Sequence, residues 1–307
     1  MDEQRQTLVR PVRRARHVSR AAPGGGEDLP IPARDGYPLA ATRFGPAAPR
    51  AVVVVVPATG VPRGYYAPFA AHLARQGHGV VTFDYRGIGG SRPPRLRGFP
   101  ARMADWGELD LTGVLDWIGD SSWDGAPVLV VAHSVGGQIL PLADGLDRVR
   151  AAYMVGAQQG YWRHWDGAWR LALPLLWYGL IPLGVPLMGR LPAAVLGGGE
   201  DLPPGVGLDW ARFCRHPDHI LTHRPDTVER FAAVRFPIRM VTPTDDHFAP
   251  PRAVETLARY YRNAPVERRW VAPGEVGATR LGHFGFFRER FRDDLWPDAV
   301  AFLERHA

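Results

Sequence analysis

The chain has 307 residues, a length that fits one large α/β domain with an insertion or two ordinary domains, and it is too long for a disulfide-stapled miniprotein. Hydrophobic residues make up 46% and aromatic residues 10%, enough for a sizeable core, which excludes the disordered class for the bulk of the chain. The formal charge of +6 does not mark a nucleic-acid binder. Six arginines within the first twenty-five residues stand against Asp2 and Glu3 and carry four of those charges, all 37 basic residues are arginine, and no nucleic-acid motif is visible.

Residues 1–26 read as a flexible basic arm ending in Gly24-Gly25-Gly26. The arm has no apolar h-region, and no hydrophobic run follows Arg13-Arg14, so neither a secretory nor a twin-arginine signal is expected. A tether to anionic membrane or to a partner is the second reading. The lone Cys214 has no intramolecular partner, and a reducing, cytoplasmic setting is the default expectation.

After the arm, Pro30–Ala33 and Pro38–Arg43 flank Asp35-Gly36, a hairpin signal. Ala51–Val56 is an unbroken apolar run of the kind buried on both faces of a parallel sheet. A helix is predicted over Tyr65–Gln76, closed by Gly77, then a strand at Gly79–Phe83, a helix at Trp106–Ile118 and a strand at Val128–Ala132. The alternation resumes with strands at Ile238–Thr242 and Glu267–Val271 and helices at Arg252–Tyr261 and Asp294–Arg305. It predicts a doubly wound, mostly parallel α/β sheet built from 27–157 and 235–307, with an inserted lid over 158–234.

Within the lid, Leu171–Gly189 runs nineteen residues without a charge, long enough to span a membrane. Pro174, Pro182 and Pro186 with Gly179, Gly184 and Gly189 interrupt it, and a span would split the soluble α/β pattern. A greasy lid over a pocket explains it better, with contact to lipid a weaker reading. Tyr161, Trp162, Trp165, Trp169, Trp177 and Tyr178 form either a wall for an acyl or aromatic group or the insertion's own core.

The most informative stretch is Val128–Gly137, where a buried strand runs into Ala132-His133-Ser134-Val135-Gly136 and on into a helix. This is a nucleophile-elbow arrangement, with small residues two places either side of the serine because the tight turn crowds the backbone. A serine capping an ordinary helix would use similar residues. The companions shift the balance: Asp246 follows the Ile238–Thr242 strand and His283 stands on a loop before the last helix, in the chain order serine, acid, histidine. A serine alcohol needs such a base, and the base an orienting acid. Asp245 is the fallback acid.

Two rivals are weaker. The Asp84–Ser91 stretch carries a Gly-x-Gly without the rest of a dinucleotide fingerprint and reads as a structural turn. Cys214, His216, His219 and His223 include an i, i+4 histidine pair, yet Pro217 disrupts a helix there and no His-Glu-x-x-His is present, so surface histidines are the plainer reading. No metal and no cofactor is expected. His133 and His247 read as packing or hydrogen-bonding neighbours rather than bases.

With Ser134, Asp246 and His283, the Asp84–Ser91 stretch and the strand spacing, the chain from about residue 30 resembles the α/β-hydrolases. It is most similar to a group of largely uncharacterised bacterial members through Pro57–Gly60, Leu196–Pro203, Trp210 and Gly282–Phe287. The resemblance implies that Ser134 attacks an acyl carbonyl, His283 takes its proton and later activates water, and Asp246 holds the imidazole. It also implies an oxyanion hole from the backbone N–H groups of Thr59 and Val135, although Pro57-Ala58 replaces the usual His-Gly at that turn. The expected activity is hydrolysis of an uncharged or hydrophobic ester or thioester, a small-molecule acyl substrate, through an acyl-serine. An acyltransferase on the same machinery and a non-catalytic binding protein are the alternatives.

Overall fold

A computed structural model describes residues 20–22 and 25–307. Nine strands form one sheet among them: β1 (Arg20–Ala22), β2 (Gly26–Pro32), β3 (Pro38–Phe44), β4 (Val52–Val56), β5 (Gly79–Phe83), β6 (Val128–His133), β7 (Val149–Val155), β8 (Ile238–Pro243) and β9 (Val266–Val271). Their spatial order is β1-β2-β3-β5-β4-β6-β7-β8-β9. The β1–β2, β2–β3 and β3–β5 pairs are antiparallel and every other pair is parallel.

Most of the expected basic arm lies outside the described residues, but its end does not match the expectation. Arg20–Ala22 pairs with Gly26–Asp28, so the meander begins inside the stretch read as flexible. The strand at β7 was not foreseen either. Arg150 and three small or polar-flanked positions break the apolar run that marks the other central strands.

Helices α1 (Ala67–Arg75), α2 (Thr112–Gly119) and α3 (Gly136–Ile139) follow β4, β5 and β6, and a wider π turn over Trp106–Leu111 precedes α2. Between β7 and β8 come α4 (Ala168–Pro174), α5 (Ile181–Met188), α6 (Pro204–Arg215) and α7 (Thr227–Ala233). The last of these returns to the sheet layer, with Phe231 against Tyr260 and Tyr261. Helix α8 (Pro251–Tyr260) joins β8 to β9, and α9 (Arg292–Glu304) closes the chain.

The valines of β4 show why the run has no polar break. Successive side chains point to opposite faces, and both faces are covered. Val52, Val54 and Val56 enter one core with Val114, Leu115, Ile118 and Leu257. Val53 and Val55 enter the other with Phe69, Leu73, Trp296 and Phe302. Full burial of each valine stabilises the sheet by about 1.5–3 kcal/mol. These rigid central strands end together at one edge, and the loops leaving that edge carry the residues considered next.

Candidate active site

Ser134 leaves β6 with φ +53, a left-handed conformation that among the described non-glycine residues only His219 shares. Such a turn costs a β-carbon-bearing residue about 1–3 kcal/mol, and the surrounding structure must hold it. Here the Ser134 N–H donates to Val155 O at 2.9 Å, continuing the ladder to β7, while Ser134 O accepts from Gly137 N–H at 3.0 Å to start α3. Close packing behind the turn requires glycine at 136: a β-carbon there would sit 2.7 Å from Val56 O.

Asp246 and His283 meet from the loops after β8 and β9. His283 Nδ1 lies 2.6 Å from Asp246 Oδ2, and Asp246 Oδ1 accepts from the Phe248 N–H at 2.8 Å. An ionised carboxylate only accepts, so Nδ1 carries the proton and the neutral ring keeps its lone pair at Nε2. Asp245 has different work: it accepts from the N–H groups of Leu281 and Gly282, both at 3.0 Å, and so ties down the histidine loop. Gly156, at the end of β7, has φ +57, and a β-carbon there would meet the His283 ring at 3.0 Å and Asp246 Oδ2 at 3.1 Å. Ser134, Asp246 and His283 are all buried. Among the described residues no hydrogen bond joins Ser134 Oγ to His283, a contact that in unliganded enzymes commonly tightens only with substrate.

A second chain of hydrogen bonds runs behind the first. The Ala58 N–H donates to Tyr66 Oη at 2.9 Å, Tyr66 Oη lies 2.9 Å from His133 Nδ1, and His133 Nε2 lies 3.0 Å from the backbone carbonyl of His283. Since that carbonyl only accepts, Nε2 holds the proton and Nδ1 accepts the tyrosine hydroxyl. Burial supports this assignment. It holds the His133 imidazolium well below the usual histidine range and pushes the Tyr66 phenol up, so both groups are neutral. His133 is therefore a hydrogen-bonding neighbour. No sequence motif marks Tyr66, whose partners Ala58 and His133 lie in other elements.

The turn after β4 faces the elbow. The Ala58 N–H is occupied by Tyr66, and among the described residues the N–H groups of Thr59 and Val135 make no hydrogen bond. The insertion closes over this turn, where the Glu200 N–H donates to Gly60 O and Glu200 Oε2 accepts from the Gly89 N–H, both at 2.8 Å. The Asp84–Ser91 stretch holds its own fold together: Asp84 accepts from Arg63 N–H at 2.6 Å and Gly90 N–H at 2.8 Å.

The aromatics of the 158–234 segment scatter. The Trp165 indole donates to His247 O at 2.8 Å, which places it on the acid loop. Tyr161 and Trp162 pack on each other beside it, Trp177 is buried in the cap against Trp210, and Trp169 is half exposed. Two aromatics not singled out from the sequence stand nearer the pair: Phe248 and Phe284, whose rings lie 5.2 and 5.0 Å from the His283 ring. A cavity of about 290 Å³ opens beside His283, lined by Phe248, Phe284, Arg280, Arg288 and Arg290 among others. Cys214 and His219 come together at 4.0 Å, both buried, so His219 is not the surface histidine expected, while His216 and His223 turn to Asp218 and Glu108. Among the described residues no group of three or more metal-ligating side chains forms.

Comparison with known proteins places this architecture. Solved structures superpose over nearly the whole chain. An esterase of Pyrococcus furiosus matches with TM-score 0.61 at 13% identity, covering 92% of this chain and 90% of that one. The chain has the α/β-hydrolase fold. An esterase of Thermogutta terrifontis shares this fold with TM-score 0.58 and 17% identity, over 91% and 99% of the two chains. A monoacylglycerol lipase of Paleococcus ferrophilus shares it with TM-score 0.57 and 18% identity, over 88% and 99%. Residues 47–155 match the family model for serine aminopeptidase, S33, a stretch that includes Ser134 but not Asp246 or His283. No curated protein sequence matches the chain.

Proposed function

We propose that the protein is a serine hydrolase that cleaves a carboxylic ester or thioester of a hydrophobic acyl group through an acyl-serine intermediate. The observation that carries this reading is the 2.6 Å contact of His283 Nδ1 with Asp246 Oδ2, beside a serine held at φ +53. The pair fixes the tautomer a general base requires, and the left-handed turn is the backbone conformation of a nucleophile elbow at a strand end.

In the first half-reaction Ser134 Oγ bonds to the acyl carbon as its proton passes to His283 Nε2. Asp246 stabilises the imidazolium, and collapse of the tetrahedral adduct breaks the ester bond while His283 protonates the leaving alcohol or thiol. Water then attacks the acyl-serine, giving its proton to His283 Nε2, and collapse of this second adduct breaks the bond to Ser134 Oγ as His283 returns the proton to it, releasing the acid. The N–H groups of Thr59 and Val135, with no hydrogen-bond partner among the described residues, are the donors for the oxyanion, each worth about a hundredfold or more in rate. The esterases and the lipase that share the fold support an ester as substrate. No distinct amine- or carboxylate-binding motif in the sequence favours a peptide.

The intermediate is the test. Enzyme quenched during turnover of a p-nitrophenyl ester should carry the acyl mass on the peptide containing Ser134. Turnover with the acyl mass on another residue, or on none after rapid quenching, overturns the covalent route through Ser134.

A further inference from the structure

Residues 168–188 form one continuous helical segment of 21 residues, α4 and α5 joined by a wide turn over Leu175–Leu180. At 1.5 Å per residue it is about 31 Å long. The mean hydropathy of its most apolar window is 1.7, and only 22% of that window is buried. Leu173, Trp177, Ile181 and Val185 make the buried row, packed into the cap core with Phe213 and Val206 of α6. The rest of the circumference is as apolar as that row but open: Leu171 is 82% exposed, Leu175 64%, Leu183 70% and Leu187 78%. A helix of a soluble protein pairs one apolar stripe with a polar face, so this one carries an apolar face that its own fold leaves bare.

We propose that this face rests on the surface of a lipid bilayer, with the helix lying in the plane of the interface and the strand end that carries Ser134 beneath it. Its ends rule out a crossing. Just before the segment, Trp165 is tied to His247 of the loop after β8. At its other end Leu187 O accepts from Arg97 of the loop after β5 at 2.6 Å. Both anchors belong to the same edge of the sheet, and β4, β6 and β7 lie between them, so the helix passes over the strand end that carries Ser134. Charge fits a lipid surface better than a second protein. No carboxylate occurs from Ala168 to Met188, and exposed arginines stand at both ends, Arg163 and Arg170 with Asp166 between them before the bare face, and Arg97 after it with Arg190, which pairs with Asp201 at 3.0 Å. Apolar side chains in the acyl boundary with arginines at headgroup level is the pattern of an in-plane helix drawn to anionic lipid. The docking stands on this geometry alone. That the enzyme then takes an ester held in the bilayer rests on the ester-hydrolase reading.

Flotation of the full-length protein with vesicles tests the docking without any chemistry. The wild type and Ser134→Ala should float with phosphatidylcholine vesicles, more strongly when phosphatidylglycerol is added, and the added part should vanish in high salt. Leu183→Glu with Leu187→Glu should lower the bound fraction on the order of tenfold or more while turnover of a short, water-soluble ester stays within about twofold. That soluble activity reports whether the variant folds, and the wild-type arm needs no variant. A wild type that remains unfloated with both vesicle types overturns the proposal, as does a folded double variant that floats like the wild type. A wild-type dimer that the double variant makes monomeric, without flotation, would assign the face to a second copy instead. Flotation by a protein that hydrolyses no ester would keep the docking and remove the ester reading.

Discussion

His133 Nε2 donates to the backbone carbonyl of His283 across 3.0 Å, so the residue just before Ser134 helps hold the loop of His283. Through Tyr66 the same imidazole is bonded to the N–H of Ala58, in the turn that leads to Thr59. One neutral, buried chain thus couples the Ser134 turn, the His283 loop and the turn of Ala58 and Thr59. Each link has one direction open to it, since carbonyl and imidazole lone pair accept and phenol and amide donate.

Tyr66→Phe removes the middle of that chain with almost no change of volume. It leaves the Ala58 N–H and His133 Nδ1 buried without partners, which costs about 1–3 kcal/mol of stability. Turnover should fall by about tenfold or more with KM little changed, because the turn and the histidine loop lose a common support. Steady-state kinetics with a soluble ester and a urea melt measure both. A variant with wild-type kcat would mean that the chain serves stability alone.

Asp246→Asn and Asp245→Asn separate two adjacent carboxylates by function. The first replaces the acceptor of the His283 Nδ1 proton with a group that can present N–H instead, so turnover should fall about a thousandfold or more. The second only weakens two backbone hydrogen bonds to Leu281 and Gly282, and should cost activity about tenfold or less. Reversed magnitudes in kcat would transfer the orienting role to Asp245.

Stability should fall on mild acidification for a reason that lies in buried imidazoles. Burial lowers His219 from 6.5 to about 3, and His133 is lowered well below 6.5 by burial and by His283 beside it. Below about pH 6.5 the unfolded chain binds protons at these rings that the folded chain refuses, so stability is full above that pH and is lost toward pH 3. These two groups contribute a slope approaching about 2.7 kcal/mol per pH unit, partly offset by buried Asp110, which burial pushes up to about 7 and which favours the folded chain as pH falls. His219→Asn, which tolerates the left-handed backbone at φ +47, should remove about half of this slope in urea melts between about pH 7 and about pH 5. Parallel losses in wild type and variant would show that His219 is not responsible.

Much of this organisation was legible in the chain. The central strands read clearly because burial on both faces forbids polar breaks, and the Ser134, Asp246, His283 order follows from the strand ends that carry them. Strand β7 did not, since Arg150 and its alanines weaken the apolar run, and neither did β1, which lies in an arginine-rich stretch. Choosing between Asp245 and Asp246 required side-chain directions, which adjacent positions cannot supply. Tyr66 was invisible because its partners stand 67 positions away in His133 and across a turn in Ala58. The charge-free run was seen as apolar, but only packing shows that a single row of it is covered.

The central claim is that Ser134 is an activated nucleophile. Labelling by a fluorophosphonate probe tests it most directly, because the probe reports the reactivity of the serine whatever the natural substrate. The wild type should label at Ser134, Ser134→Ala should not label at all, and His283→Ala should label at least about a hundredfold more slowly while remaining folded. A folded wild type that stays unlabelled where a control serine hydrolase reacts, or a Ser134→Ala variant that labels like the wild type, would contradict the account.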